Sequence, residues 1–175
     1  MALLLPTVSL EKVTEITPEL LRRMRVRALL LDVDNTLAPH GSQTPFAGTV
    51  EWARRLREEG FRILIFSNNF ERRVRPLARQ YGLPAFSMAL KPLPFAYGRA
   101  AALLGVPARE AAAVGDQIFT DILGANLARM QSILLVPEER ERSLGFRIRR
   151  GLEKPVRARI RRMEGREAQK RSGDD

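Results

Sequence analysis

What most limits the folds open to this chain is a regular exchange between short apolar runs and amphipathic stretches of about ten residues. Val26 to Val33 is bounded by arginines before it and by Asp34, Asn35 and Thr36 after it, the pattern of a strand buried on both faces. Thr49 to Glu59 carries Val50, Ala53 and Leu56 at helical spacing and stops at Gly60, and Phe61 to Phe66 follows as a second strand. Glu71 to Tyr81 predicts another helix, broken or bent at Pro76 and closed by Gly82. Four more segments complete the series: a strand near Ala85 to Met88, a helix over Pro94 to Leu104, a strand over Ala111 to Val114 and a helix over Phe119 to Arg129. Ser132 to Val136 then closes the pattern as a strand. Such alternation describes right-handed crossovers on a parallel sheet covered on both faces. The expectation is an α/β fold, a single Rossmann-like domain whose central parallel sheet has about five strands flanked by helices.

A chain of 175 residues suits one domain with a real core. The core is expected over 21–137, with 1–20 as an N-terminal extension packing on it and 138–175 as a basic, helical or partly disordered extension. Charge is uneven: the net value is +10, and from Arg147 to Arg171 eleven Lys or Arg accompany three Glu. A surface this basic favours partners that carry phosphate. With no cysteine there is no disulfide framework, thiolate metal site or cysteine nucleophile, which points to the cytoplasm. Met1 to Leu5 has no basic leader and runs into Pro6, so no signal peptide is predicted, and no apolar run approaches the ~20 residues of a spanning helix.

In an open parallel sheet, ligands bind beyond the carboxyl ends of the strands. The strand ends here read Asp32-Val33-Asp34-Asn35-Thr36, Ser67-Asn68-Asn69, a segment leading to Lys91, and Gly115-Asp116 with Asp121 beyond. Alternation along an extended segment puts Asp32 and Asp34 on one side, where a divalent cation would relieve their repulsion. Asp116 would complete an all-oxygen set of the kind Mg2+ prefers. Lys91 offers a fixed positive charge to phosphate oxygens, and Ser67 a hydroxyl donor. A lone Asp-x-Asp-x-Thr is usually a polar turn, and Ser67-Asn68-Asn69 alone is a good helix cap or turn. Falling together, in order, at successive strand ends, they describe a site. His40 is left out as an incidental loop residue, and Trp52 and Phe119 are assigned to the core.

These motifs resemble those of the haloacid-dehalogenase-like phosphatase superfamily, subfamily IIIA. The resemblance implies that Asp32 is the nucleophile that forms an aspartyl-phosphate, and that Asp34 protonates the leaving oxygen and then deprotonates the attacking water. It implies Mg2+ held by the side chains of Asp32 and Asp116 and the backbone carbonyl of Asp34, with Asp121 as an orienting acid near Lys91. Ser67, Asn68 and Lys91 form the implied phosphate-binding set, and Thr36 is expected to fix the loop by hydrogen bonding.

Between Asp32 and Ser67 lie 34 residues and between Ser67 and Lys91 lie 23, too few for an inserted cap domain once a helix and strand are placed in each. An open site suits a substrate whose own bulk shields the reaction. Leu4-Leu5-Pro6, Ile16-Thr17-Pro18-Glu19-Leu20-Leu21, the Leu30 to Leu37 segment and Val114 to Ile122 look like the YqeG-type branch, which is similar to mitochondrial phosphatidylglycerophosphate phosphatases. The resemblance implies hydrolysis of phosphatidylglycerophosphate to phosphatidylglycerol and phosphate. Basic residues would then hold the protein peripherally at the inner face of the membrane. Two alternatives stay open: a nucleic-acid-end or protein phosphatase with the same chemistry, and a basic RNA- or ribosome-associated module with little turnover.

Overall fold

Six parallel strands form one sheet in the computed structural model, which describes residues 2–136, 155–160 and 162. They are β1 (Val8–Leu10), β2 (Ala28–Leu31), β3 (Arg62–Phe66), β4 (Ala85–Phe86), β5 (Ala111–Gly115) and β6 (Gln131–Leu135), in the spatial order β1-β6-β5-β2-β3-β4. The helices are α1 (Pro18–Arg23), α2 (Thr49–Glu58), α3 (Glu71–Tyr81), α4 (Pro94–Leu103) and α5 (Leu123–Leu127), with a further helical segment, α6, at 155–160. The expected parallel sheet is present, one strand larger than anticipated. The extra strand is β1, which lies in the segment read as an extension and pairs with β6, Val8 opposite Ile133. Most of 138–175 lies outside the described residues.

The core occupies both faces of the sheet because β2, β3 and β5 are apolar at nearly every position. On one face Leu29, Leu31, Ile63, Ile65 and Val114 pack under α2 and α3; on the other, Leu30, Leu64, Phe66 and Ala113 pack under α4. Leu29, Leu30 and Leu31 are fully buried, and each such leucine contributes about 1.5–3 kcal/mol. The second face is tighter, since Ala96, Ala100 and Ala101 let α4 approach Ala111 and Ala113 closely.

The expected break at Pro76 does not occur: α3 runs on for 11 residues. Pro76 is exposed, so the carbonyl one turn earlier that loses its donor can turn to water. Trp52 is in the core and donates its indole N–H to the Ile16 carbonyl at 2.9 Å. Phe119 is only partly buried, and its neighbour Ile118 takes the core position. Among the described residues, no helix is long and apolar enough to cross a membrane.

The chain leaves β2 for β3 and β4 on one side and returns to β5 and β6 on the other, beyond which β1 forms the edge. The carboxyl end of β2 is therefore the point where strand order reverses, the place at which such sheets open a crevice. Asp32 is the first residue past that end.

Candidate active site

Backbone hydrogen bonds continue the sheet into the loops and so fix where the functional side chains start. Asp32 N–H donates to the Val114 carbonyl at 2.9 Å, extending the β2–β5 ladder by one residue. Ser67 N–H donates to Phe86 O at 3.0 Å, and Ala89 N–H returns to Ser67 O at 3.0 Å, which zips the loops after β3 and β4 together. The chain beyond Gly115 enters a π-helical turn, Ile118–Ile122, a form of helix found often at functional positions. This turn points Asp121 back at the end of β5.

Lys91 reaches into the centre of the group. Its ammonium donates to Asp32 Oδ1 and to Asp121 Oδ1, both at 2.6 Å, and its side chain is almost wholly buried. Asp32, Asp116 and Asp121 each offer a carboxylate oxygen within 4.8 Å of the others, and all three are buried. Asp116 Oδ2 also accepts from Asn35 Nδ2 at 3.3 Å, and Asn35 sits in a left-handed conformation, φ 59°, that aims its amide there. Burial, together with the Asp121 and Asp34 charges, pushes the Asp32 carboxyl up to about 6 against the pull of Lys91. For Lys91, burial opposes the charge, but Asp121 and Asp32 outweigh it and the ammonium is held well above its ordinary range. Three buried carboxylates with no imidazole or thiol are an oxygen donor set, which suits a hard dication such as Mg2+.

Asp34 faces the same pocket with different partners. Its Oδ1 accepts from Arg73 Nη2 at 2.7 Å and from Gly41 N–H at 3.3 Å, and its Oδ2 from Asn69 Nδ2 at 2.7 Å. Burial raises its carboxyl, but the Arg73, Asn69 and Gly41 hydrogen bonds prevail and hold it below the usual carboxylate range. The third side chain in the carboxylate cluster is thus Asp121, whereas the spacing argument had paired Asp32 with Asp34.

Three further expectations meet a different arrangement. Asn68 lies beside the site, but its amide is taken up by the Lys91 backbone: Oδ1 accepts from Lys91 N–H at 2.7 Å and Nδ2 donates to Lys91 O at 3.0 Å. These two bonds position the lysine backbone. Thr36 is buried, and among the described residues its hydroxyl has no hydrogen-bond partner. The loop is held by backbone bonds instead, such as Leu37 N–H to Val33 O at 2.9 Å. His40 comes closer than expected, with Nδ1 3.7 Å from Asp34 Oδ2. Ser67 is buried as a site residue should be, and its hydroxyl oxygen accepts from Asn69 N–H at 3.3 Å and Asn69 Nδ2 at 3.2 Å.

Arg73 is the site residue that sequence reading missed. It lies one helical turn beyond Asn69, among other arginines, and only the fold of the loop after β2 brings Asp34 to it. Arg157 of α6 is a second, donating to the backbone carbonyl of Asp116 at 2.6 Å. Val156 and Ile160 anchor that helix against Ile118, Ile122 and Leu134. A cavity of about 330 Å³ lined by Glu11, Lys12, Asn35, Thr36 and Phe46 opens nearby, but none of the three clustered carboxylates lines it.

Gly115 shows how closely the group is packed. A Cβ there would lie 2.2 Å from Asp121 Oδ2 and 2.8 Å from Asp121 Cβ, so only glycine lets the acid approach the end of β5. Gly115→Ala is expected to destabilise the protein by about 1–3 kcal/mol through overpacking and to weaken metal activation by displacing Asp121. Thermal unfolding and an Mg2+ titration of activity read both effects, and a variant indistinguishable from wild type would remove Asp121 from the site.

Comparison with known proteins agrees with this geometry. The model of the haloacid dehalogenase-like hydrolase family matches residues 27–129, the span from β2 to the end of α5. The chain is 34% identical over 133 residues to the probable phosphatase YqeG of Bacillus subtilis (strain 168), covering 76% of this chain and 77% of that protein. The cobalt-bound deoxy-D-mannose-octulosonate 8-phosphate phosphatase YrbI of Haemophilus influenzae shares the fold with a TM-score of 0.53 at 18% identity, over 62% of this chain and 68% of that one. A protein of Listeria monocytogenes serotype 4b does so with a TM-score of 0.54 at 18% identity, over 66% of this chain and 85% of that one. By its sheet, by the order of its acidic motifs and by these matches, the chain belongs to the haloacid dehalogenase-like hydrolase family.

Proposed function

We propose that the protein is a Mg2+-dependent phosphatase in which Asp32 takes the phosphoryl group, and that its substrate is the phosphate monoester of an anionic phospholipid, phosphatidylglycerophosphate. The observation that carries the chemistry is the Lys91 ammonium held between Asp32 and Asp121 at 2.6 Å each, beside Asp116. Asp32 and Asp116 would hold the metal with Asp34 lending its backbone carbonyl, and Asp121 orients Lys91. Bound there, Mg2+ supplies a positive field for the phosphoryl oxygens.

An Asp32 carboxylate oxygen forms a bond to phosphorus as the phosphorus–oxygen bond to the leaving group breaks. Lys91 stabilises negative charge on the transferring group. The leaving alkoxide takes a proton from Asp34. Water then attacks the aspartyl-phosphate, its proton passes to Asp34, and Asp32 is regenerated with release of inorganic phosphate. Arg73 and Asn69 favour the ionised Asp34 that this second half needs. Its acid role in the first half requires the incoming ester to displace one of those contacts.

The lipid assignment is supported by the absence of inserted structure. Between Asp32 and Lys91 the described chain consists of a loop, α2, β3, α3 and β4, with no domain inserted among them. The net charge of +10 favours an anionic substrate surface.

The test is phosphate release by the full chain with Mg2+ from phosphatidylglycerophosphate, a 5′-phosphorylated oligonucleotide, a phosphopeptide and a sugar phosphate. Preference for the lipid by about tenfold or more is expected. Faster turnover of the oligonucleotide or the phosphopeptide would reassign the substrate, and no release from any of them would refute the chemistry.

A further inference from the structure

The loops that carry Ser67 and Lys91 also carry an unusual set of exposed apolar side chains. Phe70, Met88, Leu90, Leu93 and Phe95 are 60%, 55%, 57%, 46% and 56% exposed. They lie within a few residues of Asn69 and Lys91 along the chain. Phe70 comes directly after Asn69, which contacts Asp34, and Met88 N–H donates to Asn69 O at 2.9 Å. Leu90 and Leu93 flank Lys91 and Pro92 in a turn closed by Leu93 N–H to Leu90 O at 3.0 Å, and Phe95 opens the first turn of α4.

Two of the five hold strained backbone. Met88 and Leu90 have φ of 48° and 58°, a region that large side chains rarely adopt, while Ala89 between them is buried. Both large apolar groups are exposed on either side of the buried Ala89, and strain of this kind gathers at ligand-facing sites. Water is a poor environment for that arrangement.

The charge around the collar defines what it fits. From Phe70 to Arg99 the sequence has six Lys or Arg and a single acid, Glu71; Lys91 and Arg73 are turned to the site's carboxylates and Arg75 pairs with Glu71 at 3.6 Å, which leaves Arg72, Arg79 and Arg99 as exposed cations. The exposed Arg72 lies 5.8 Å from the Phe70 ring centroid, and Arg99 5.6 Å from that of Phe86. Exposed apolar side chains that sit among arginines match an interface with an anionic headgroup layer above and acyl chains beneath.

We propose that this collar docks the protein on an anionic phospholipid bilayer, with the site mouth held against the headgroups. The inference rests on the lipid-phosphate reading above but concerns a surface, so the two fail separately. Docking sets substrate access: a phosphate at the headgroup level meets Lys91 without leaving the bilayer.

The experiment uses the full chain and vesicles of phosphatidylcholine, with or without phosphatidylglycerol. The variant is Met88→Asn/Leu90→Asn/Phe95→Ser, in which asparagine tolerates the left-handed backbone. Wild type is expected to bind the phosphatidylglycerol vesicles. The variant should bind about tenfold more weakly and lose a similar factor in turnover of vesicle-borne lipid, while hydrolysing a water-soluble phosphate ester as wild type does. Should the triple variant not fold, Phe95→Ser alone carries the comparison, with a smaller loss of about threefold. Equal vesicle binding by wild type and variant, or none by wild type, overturns the proposal. So does a wild type that self-associates where the variant stays monomeric, since the collar then joins two copies of the chain. Collar-dependent binding without lipid hydrolysis upholds the surface and removes the lipid substrate.

Discussion

Asp32→Asn is expected to abolish phosphate release, by on the order of 10⁴-fold or more, the scale seen when a covalent nucleophile is removed. The fold should survive, because the Asp32 backbone is tied to β5 and the amide is close in size to the carboxylate it replaces. Stability supplies an independent readout. Burial raises the native Asp32 carboxyl to about 6, above the ~3.9 of an unfolded aspartate. A raised group contributes stability that is complete below its unfolded value and is lost as pH rises through about 6. In metal-free solution the Asn variant should therefore gain on wild type as pH climbs from about 4 to about 6, the window those two values bracket. Mg2+ should reverse the order above about pH 6, because only the ionised aspartate binds it. Residual turnover within tenfold of wild type would exclude Asp32 as the nucleophile, and a stability difference independent of pH would exclude the raised carboxyl.

Lys91→Met should have the largest effect on the metal-free fold. Methionine fills a similar volume, but Asp32 and Asp121 both lose the ammonium each contacts at 2.6 Å. Removing one partner from a buried ionic group costs about 3–5 kcal/mol, on the order of 10 °C in Tm for a chain of this size. The same substitution removes a positive charge that competes with a cation for those carboxylates. Mg2+ should then raise the Tm of the variant by more than it raises that of wild type, while turnover stays low because the phosphoryl group has lost its fixed counter-charge. Thermal unfolding with and without Mg2+ decides it: an unchanged metal-free Tm would mean that the lysine does not hold the cluster together.

The acids and the lysine were legible in the sequence because each follows a strand that is itself legible. Buried parallel strands are continuous apolar runs, and β2, β3, β5 and β6 read directly as such. β1 was not read as a strand, being three residues long, only partly buried and paired with a segment more than a hundred residues away. The side chains that grip the acids and the lysine were hidden for a related reason. The grip of Arg73 on Asp34, of Asn68 on the Lys91 backbone and of Asn35 on Asp116 all depend on loop conformations, several of them left-handed. A side chain's residue type does not disclose those. Thr36 makes the point from the other direction: a hydroxyl after a strand looks like a loop fastener, yet here the backbone fastens the loop itself.

The packing of α6 has a consequence for how the protein comes into being. Val156 and Ile160 share a cluster with Leu4 and Leu5 behind the π-helical turn, and Arg157 holds the Asp116 carbonyl at 2.6 Å. A polypeptide emerging from the ribosome in order can seat Leu4, Leu5 and β1 only once the π-helical turn, α5 and β6 have been made, and α6 joins that cluster later still. The Asp116 carbonyl therefore gains its Arg157 contact only after the strands and the π-helical turn that carry the acids have been made.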